Sequence, residues 1–231
     1  MEPDATADTS GSPIRPLPDG SDVRKCTAAE LTQVVEAVAL SFYGDPIFRW
    51  IVPDDGRRLP QLERGFALFA RRIWFPRDET YTTDRLIGGA FWMPPGTWHL
   101  SLFKQLSMLP AMAVILRGKL PRLLRLLNAI EARHPHEHHY YLPVIGVRPE
   151  WQGRGFGSAL LRPILERCDR ERLPAYLEAS SPRNRALYER HGFAVVEEMR
   201  VSDSPPVWRM WREAKPEMAV EESEVVARAQ P

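Results

Sequence analysis

The sequence predicts a mixed α/β (α+β) protein with one central sheet of about seven strands and helices on both of its faces. Three observations point there. Hydrophobic periodicity alternates between the strand and helix repeats in the order β-α-α-β-β-α-α-β-α-β-α-β-β. Near the middle, a strand, a glycine-rich turn, a helix and a second strand form a parallel crossover unit. Finally, 231 residues, 44% hydrophobic and 26% charged, provide one good core in a soluble globular domain with frayed ends.

Residues 1–20, "MEPDATADTSGSPIRPLPDG", carry early acidic residues and prolines at 3, 13, 16 and 18, where a signal peptide needs a basic end and an apolar run. They read as a disordered leader to a single domain over 21–214. "DVRKCT" is a short strand. Thr27 and Glu30 have the spacing of a capping box; Leu31, Val34, Val35, Val38 and Phe42 then recur on one helix face until Gly44 and Pro46 stop it. A second helix over 59–74 aligns Leu62, Phe66, Phe69 and Ile73.

"ETYTTD" and "LIGGAFWMPPG" make a hairpin turning at Asp84 and Arg85. Over 99–133 the pattern is helical but interrupted at Pro110, Gly118 and Pro121, giving two helices. The second turns Leu120, Leu123, Leu124, Leu127 and Ile130 inward and Arg122 and Arg125 outward. "HHYYLPVIGV" is a strand, 155–172 a helix, "AYLEAS" a strand, and "PRNRALYERHG" a short helix ended by Gly192. "FAVVEEMRV" and "VWRMWRE" close the sheet. The segment 215–231 has no aromatic residue and reads as a disordered tail.

A formal net charge of +1 gives no whole-chain field to draw the protein onto nucleic acid or an anionic membrane, so any partner is recognised locally. Cys26 and Cys168 lie far apart without metal-ligand spacing, which argues against a disulfide framework and a structural zinc site and fits a reducing, cytoplasmic setting. The longest charge-free apolar stretch, 105–116, falls short of the ~20 residues of a membrane span.

The chemistry is concentrated in "GVRPEWQGRGFGSALL", residues 146–161. A strand turning sharply into a helix leaves backbone N–H groups unpaired along the helix axis. Glycines at 153, 155 and 157 clear Cβ atoms from their path, and the helix dipole favours negative charge, so the turn suits an extended diphosphate. Neither a P-loop nor a dinucleotide fingerprint has this G-x-G-x-G spacing.

This stretch resembles the coenzyme-binding motif of the GNAT superfamily of acyl-CoA N-acyltransferases, V-x-P-x-x-Q/R-G-x-G, at Val147, Pro149, Gln152, Gly153, Gly155, Phe156 and Gly157. "AYLEASSPRNRALYERHGF" is similar to the superfamily's last strand and helix at Asn184, Tyr188, Gly192 and Phe193. Over residues 134–212 the phrases are closest to the puromycin N-acetyltransferase branch; over 21–133 the likeness is only topological.

The resemblance implies a sheet splayed around the coenzyme-binding strand and acetyl-CoA as cosubstrate. Coenzyme contacts would come from Ile145, Gly146, Val147, Gln152, Gly153, Arg154, Gly155, Phe156, Gly157, Ser158 and Asn184. A backbone N–H around Ile145–Val147, beside a bulge, would stabilise the oxyanion. Tyr188 would be the general acid to the departing thiolate. Asn184 either orients pantetheine or Tyr188, or caps its own helix. Glu178 is a candidate base, its pKa raised by desolvation. Other candidates are water and the run His134, His136, Glu137, His138, His139, with His139 the most plausible lining of the acceptor pocket. Strand alternation would align His134, His136 and His138, but no metal site is predicted. Neither cysteine sits beside a base, so transfer is direct in a ternary complex.

The apolar segments "FYGDPIFRWIVPDD" and 101–130 would shape the acceptor side, which suits a small-molecule amine with a hydrophobic body better than a polyamine. The chain is expected as a monomer or homodimer without a membrane span. An alternative function is a coenzyme-binding sensor or partner module with little turnover. Membrane-surface docking through residues 100–127, with Lys104, Arg117, Lys119, Arg122 and Arg125, is disfavoured by the proline breaks.

Overall fold

In the computed structural model, residues 23–215 are described; the leader and nearly all of the tail lie outside them. Seven strands form one sheet: β1 Val23–Lys25, β2 Thr80–Thr83, β3 Gly88–Met93, β4 Tyr140–Val147, β5 Ala175–Ala179, β6 Ala194–Met199 and β7 Val207–Arg212. Their spatial order is β1-β2-β3-β4-β5-β7-β6, antiparallel except for the β4–β5 pair. The helices are α1 Leu31–Ser41, α2 Pro46–Ile51, α3 Asp55–Phe69, α4 Leu102–Leu116, α5 Leu120–Glu131, α6 Phe156–Glu171 and α7 Pro182–Arg190. None is long and apolar enough to cross a membrane among the described residues.

Each sheet face has its own core. Ala90, Trp92, Leu142 and Leu177 join Leu160, Leu161 and Ile164 of α6 and Tyr188 of α7. Phe91, Met93 and Val144 face Val34, Val35 and Val38 of α1 and Leu62 and Phe66 of α3 on the other side. Leu142 and Val144 share parity in a strand yet enter opposite cores. The cause is a bulge: the β3–β4 register runs Phe91 to Val144 but Met93 to Tyr141, so β4 carries one extra residue there. Pro143, which has no N–H for a ladder, sits within it. The bulge therefore lies just before the expected position of Ile145–Val147.

Several expectations needed correction. Pro46, expected together with Gly44 only to end α1, also begins α2: the Asp45 carboxylate accepts from the N–H groups of Ile47 and Phe48, with Pro46 in the first turn. The capping box at α1 is half formed, Glu30 accepting from the Thr27 N–H at 3.0 Å. Pro110 is accommodated inside α4 rather than breaking it. In α5 the fully buried leucine is Leu126, while Arg122 is half-buried and donates to the Trp50 carbonyl. The segment 134–138 is not strand.

Gly89 and Gly146 are cross-strand partners beneath α1. A Cβ on Gly146 would collide with the Ser41 hydroxyl and stand 3.2 Å from Val38 Cα; one on Gly89 would collide with Val34. This pair of glycines lets α1 lie directly on the sheet. Gly146→Ala is accordingly expected to cost ~1–3 kcal/mol through overpacking, read as a fall in Tm of several degrees. An unchanged Tm would show that α1 can lift at no cost.

Candidate active site

β4 and β5 are paired only through Tyr140–Leu142 with Ala175–Leu177. Beyond the Pro143 bulge they separate, and β5 continues against β7 alone. One edge of β4 over 143–147 thus has no strand partner. Two cavities meet at this split.

The first is a groove of about 690 Å³ between the α1–α2 junction, the end of β4, the start of α6 and α7. Gly153 and Gly155 have φ of +78° and +89°, the left-handed region that side chains resist, and a Cβ on either would project into open space. Gly155 precedes α6 without any side-chain cap, so the N–H groups of the first turn have no partner among the described residues. Gln152 donates to the Val147 carbonyl at 2.9 Å and ties the turn to β4. Arg183 and Arg190 also line the groove. These features fit an anionic diphosphate.

Ile145, Gly146, Val147, Gln152, Gly153, Gly155, Gly157, Ser158, Asn184 and Tyr188 are brought together around this groove. Arg154 and Phe156 lie in the same turn, but their side chains point away from the groove. The Arg154 guanidinium covers the Trp151 ring at 5.2 Å, and the Phe156 side chain is buried in the α6-side core. The Ser158 hydroxyl pairs with His191 Nε2 at 2.8 Å. Asn184 is not the cap of α7; Ser181 is, accepting from the Asn184 N–H. The Asn184 side chain is thereby released from that duty.

Tyr188 is buried and packs edge-on against Phe193. Burial, and then the Asp45 carboxylate, push its phenol pKa above the ordinary value. No described residue hydrogen-bonds its hydroxyl, and it stays protonated at neutral pH.

The second cavity, of about 470 Å³, is almost wholly apolar. It is enclosed by α2, α3, α4 and α5, with Phe66 and Leu127 among its lining, and reaches the sheet at Tyr141, Val144, Glu178 and Ser180. Glu178 Oε2 accepts from the Tyr141 hydroxyl at 2.9 Å. Its Oε1 is buried without a partner. Desolvation pushes the carboxyl up to about 7, against the lowering effect of Tyr141, Tyr176 and Arg209. A carboxylate poised there can take a proton near neutrality.

His139 does not line this cavity; His134 does. Their Nε2 atoms are 3.0 Å apart, and His134 stacks on Trp98. Desolvation lowers both, His134 to about 3, so the pair is neutral at physiological pH. No cluster of three or more candidate metal ligands occurs among the described residues.

At the seam, Ser180 from the apolar cavity donates to Asp45 from the groove. Asp45 is buried, and desolvation raises it to about 6. The sequence reading missed Asp45, although Asp followed by Pro is a recognisable helix start. Both cysteines are buried, with thiols pushed up to about 11 at Cys26 and about 12 at Cys168, and neither lines either of these two cavities.

A family model described as acetyltransferase (GNAT) matches residues 46–193. The chain is 38% identical over 90 residues to an uncharacterized N-acetyltransferase of Schizosaccharomyces pombe. That match covers 38% of this chain and 36% of the relative, so the chain spans about a third of that curated relative. Among solved structures it is similar to one described as histone acetyltransferase HPA2 and related acetyltransferase, from Corynebacterium glutamicum: TM-score 0.64, 24% identity, 84% of this chain and 97% of that one. The polyamine N-acetyltransferase of Drosophila melanogaster aligns with TM-score 0.56 at 16% identity over 83% and 98% of the two chains. Arylalkylamine N-acetyltransferase 2 of Aedes aegypti aligns with 0.51 at 12% over 84% and 98%. These three likenesses concern the fold.

Proposed function

The chain belongs to the GNAT acetyltransferase family, whose members are acyl-CoA-dependent N-acetyltransferases, and from that premise we propose direct acetyl transfer from acetyl-CoA to the primary amine of a small, partly hydrophobic molecule. The observation that carries this reading is the meeting of two unlike cavities at the β4–β5 split. One has the backbone donors and arginines suited to coenzyme phosphates; the other is apolar with one unpaired carboxylate oxygen.

In this scheme the glycine turn and the first turn of α6 hold the diphosphate, and the free edge of β4 receives the pantetheine arm as an added strand. Glu178 takes the proton from the acceptor ammonium, leaving a neutral nucleophile. A β4 backbone N–H over Ile145–Val147 faces the developing oxyanion. Tyr188 delivers a proton to the departing sulfur. The raised thiols of Cys26 and Cys168 support transfer without an acyl-cysteine.

The apolar lining supports an arylalkyl or similarly hydrophobic amine over a polyamine. The resemblance of residues 134–212 to the puromycin N-acetyltransferase branch makes aminoacyl nucleosides worth trying among the first acceptors. The test is release of free coenzyme A thiol from acetyl-CoA across arylalkylamines, puromycin, polyamines and a lysine peptide. Release with hydrophobic primary amines is expected. Folded protein that does not bind acetyl-CoA would end the proposal.

A further inference from the structure

α4 is apolar over most of its surface, with Lys104, Gln105 and Ser107 its polar side chains. Met108, Met112 and Leu116 point into the protein. On the opposite arc, at ~100° per residue, lie Phe103, Pro110, Val114 and the polar Ser107, with Leu106 and Leu102 to one side of it. Exposure is 69% at Leu102, 83% at Phe103, 53% at Leu106 and 76% at Val114. A surface helix of a globular protein ordinarily turns charge outward; an outward arc with large apolar side chains and no charge points to a second apolar neighbour. No described residue provides it.

The charge around this face is one-sided. Between Asp84 and Glu131 the chain has no acidic residue. Lys104 flanks Phe103, while Arg117 and Lys119 are exposed in the turn that follows α4. None of the three forms an ion pair with a described residue. Glu131 sits at the end where α4 begins, accepting from Gln105 and lying near His99.

We propose that the outward face of α4 docks on an anionic lipid bilayer surface, the helix lying in the interface with Phe103 and Val114 inserted and Lys104, Arg117 and Lys119 at the headgroups. A second copy would bring the same three cations against themselves, with Glu131 the one carboxylate already placed at an end of this helix. A peptide partner would need a groove, whereas this face is a single convex helix. An apolar arc with basic flanks is the pattern of an interfacial helix. Leu102 and Leu106 lie both on this face and in the lining of the apolar cavity, so the docked surface adjoins the acceptor side.

The experiment is flotation of the full-length protein with vesicles of phosphatidylcholine alone or mixed with phosphatidylglycerol, at low and high salt. Binding to the anionic vesicles only, falling with salt, is expected. Phe103→Asp with Val114→Asp should reduce the bound fraction ~10-fold. Lys104→Glu with Lys119→Glu should do so while leaving the apolar arc intact. Retained acetyl-CoA binding by each variant establishes that it is folded. Three results would overturn docking: no flotation of wild type with anionic vesicles, equal flotation of the Asp variant, or a solution dimer that Val114→Asp dissociates.

Discussion

Tyr188→Phe is expected to lower kcat by ~10²-fold or more while changing the Kd for coenzyme A by less than about a factor of two. The ring fills a buried site against Phe193, and Phe preserves that packing. What disappears is a hydroxyl that no described residue holds and that burial beside Asp45 keeps protonated. A thiolate leaving in the same desolvated groove is a stronger base than in water, so a phenol of raised pKa still matches it. Single-turnover kinetics with a saturating acceptor isolates the step. Unchanged kcat would remove Tyr188 from acid catalysis.

Glu178→Gln is expected to lower kcat/KM by ~10- to 10²-fold and to abolish the acidic limb of its pH profile. In wild type the base form exists above about pH 7, so the rate should rise through that region. The same shift has a stability consequence of definite sign. A carboxyl raised from 4.5 to about 7 binds its proton more tightly when folded. Its stabilising contribution is complete below about pH 4.5 and is lost as pH rises through 7. Wild type should therefore lose Tm between pH 5 and 8 more steeply than the Gln variant. A Gln variant retaining both the limb and the activity would assign the proton to another group or to water.

The glycine turn was legible because its conformations permit few other residues: Gly153 and Gly155 stand at positive φ with open space at the missing Cβ. Tyr188, Asn184 and Glu178 were likewise singled out from the chain alone. The seven strands and the parallel crossover followed from periodicity, since alternating and helical repeats differ so clearly. Other features need three-dimensional information. The Pro143 bulge moves Val144 to the opposite core without altering the local apolar pattern. Which histidine lines the acceptor cavity depends on how 134–138 loops beside Trp98. A helix as apolar as α4 does not reveal which half is covered. Gly146, read as a coenzyme contact, has an independent reason to be glycine in the close passage of α1.

The short pairing between β4 and β5 also governs how the molecule opens. Only three register pairs join a four-stranded half, β1 to β4, to a three-stranded half, β5 to β7. Amides along the unpaired edge of β4 should exchange with deuterium through small local openings, while those of β3 wait for larger ones. A coenzyme arm laid along that edge would be a missing rung of the ladder, so ligand would slow exchange at the seam first.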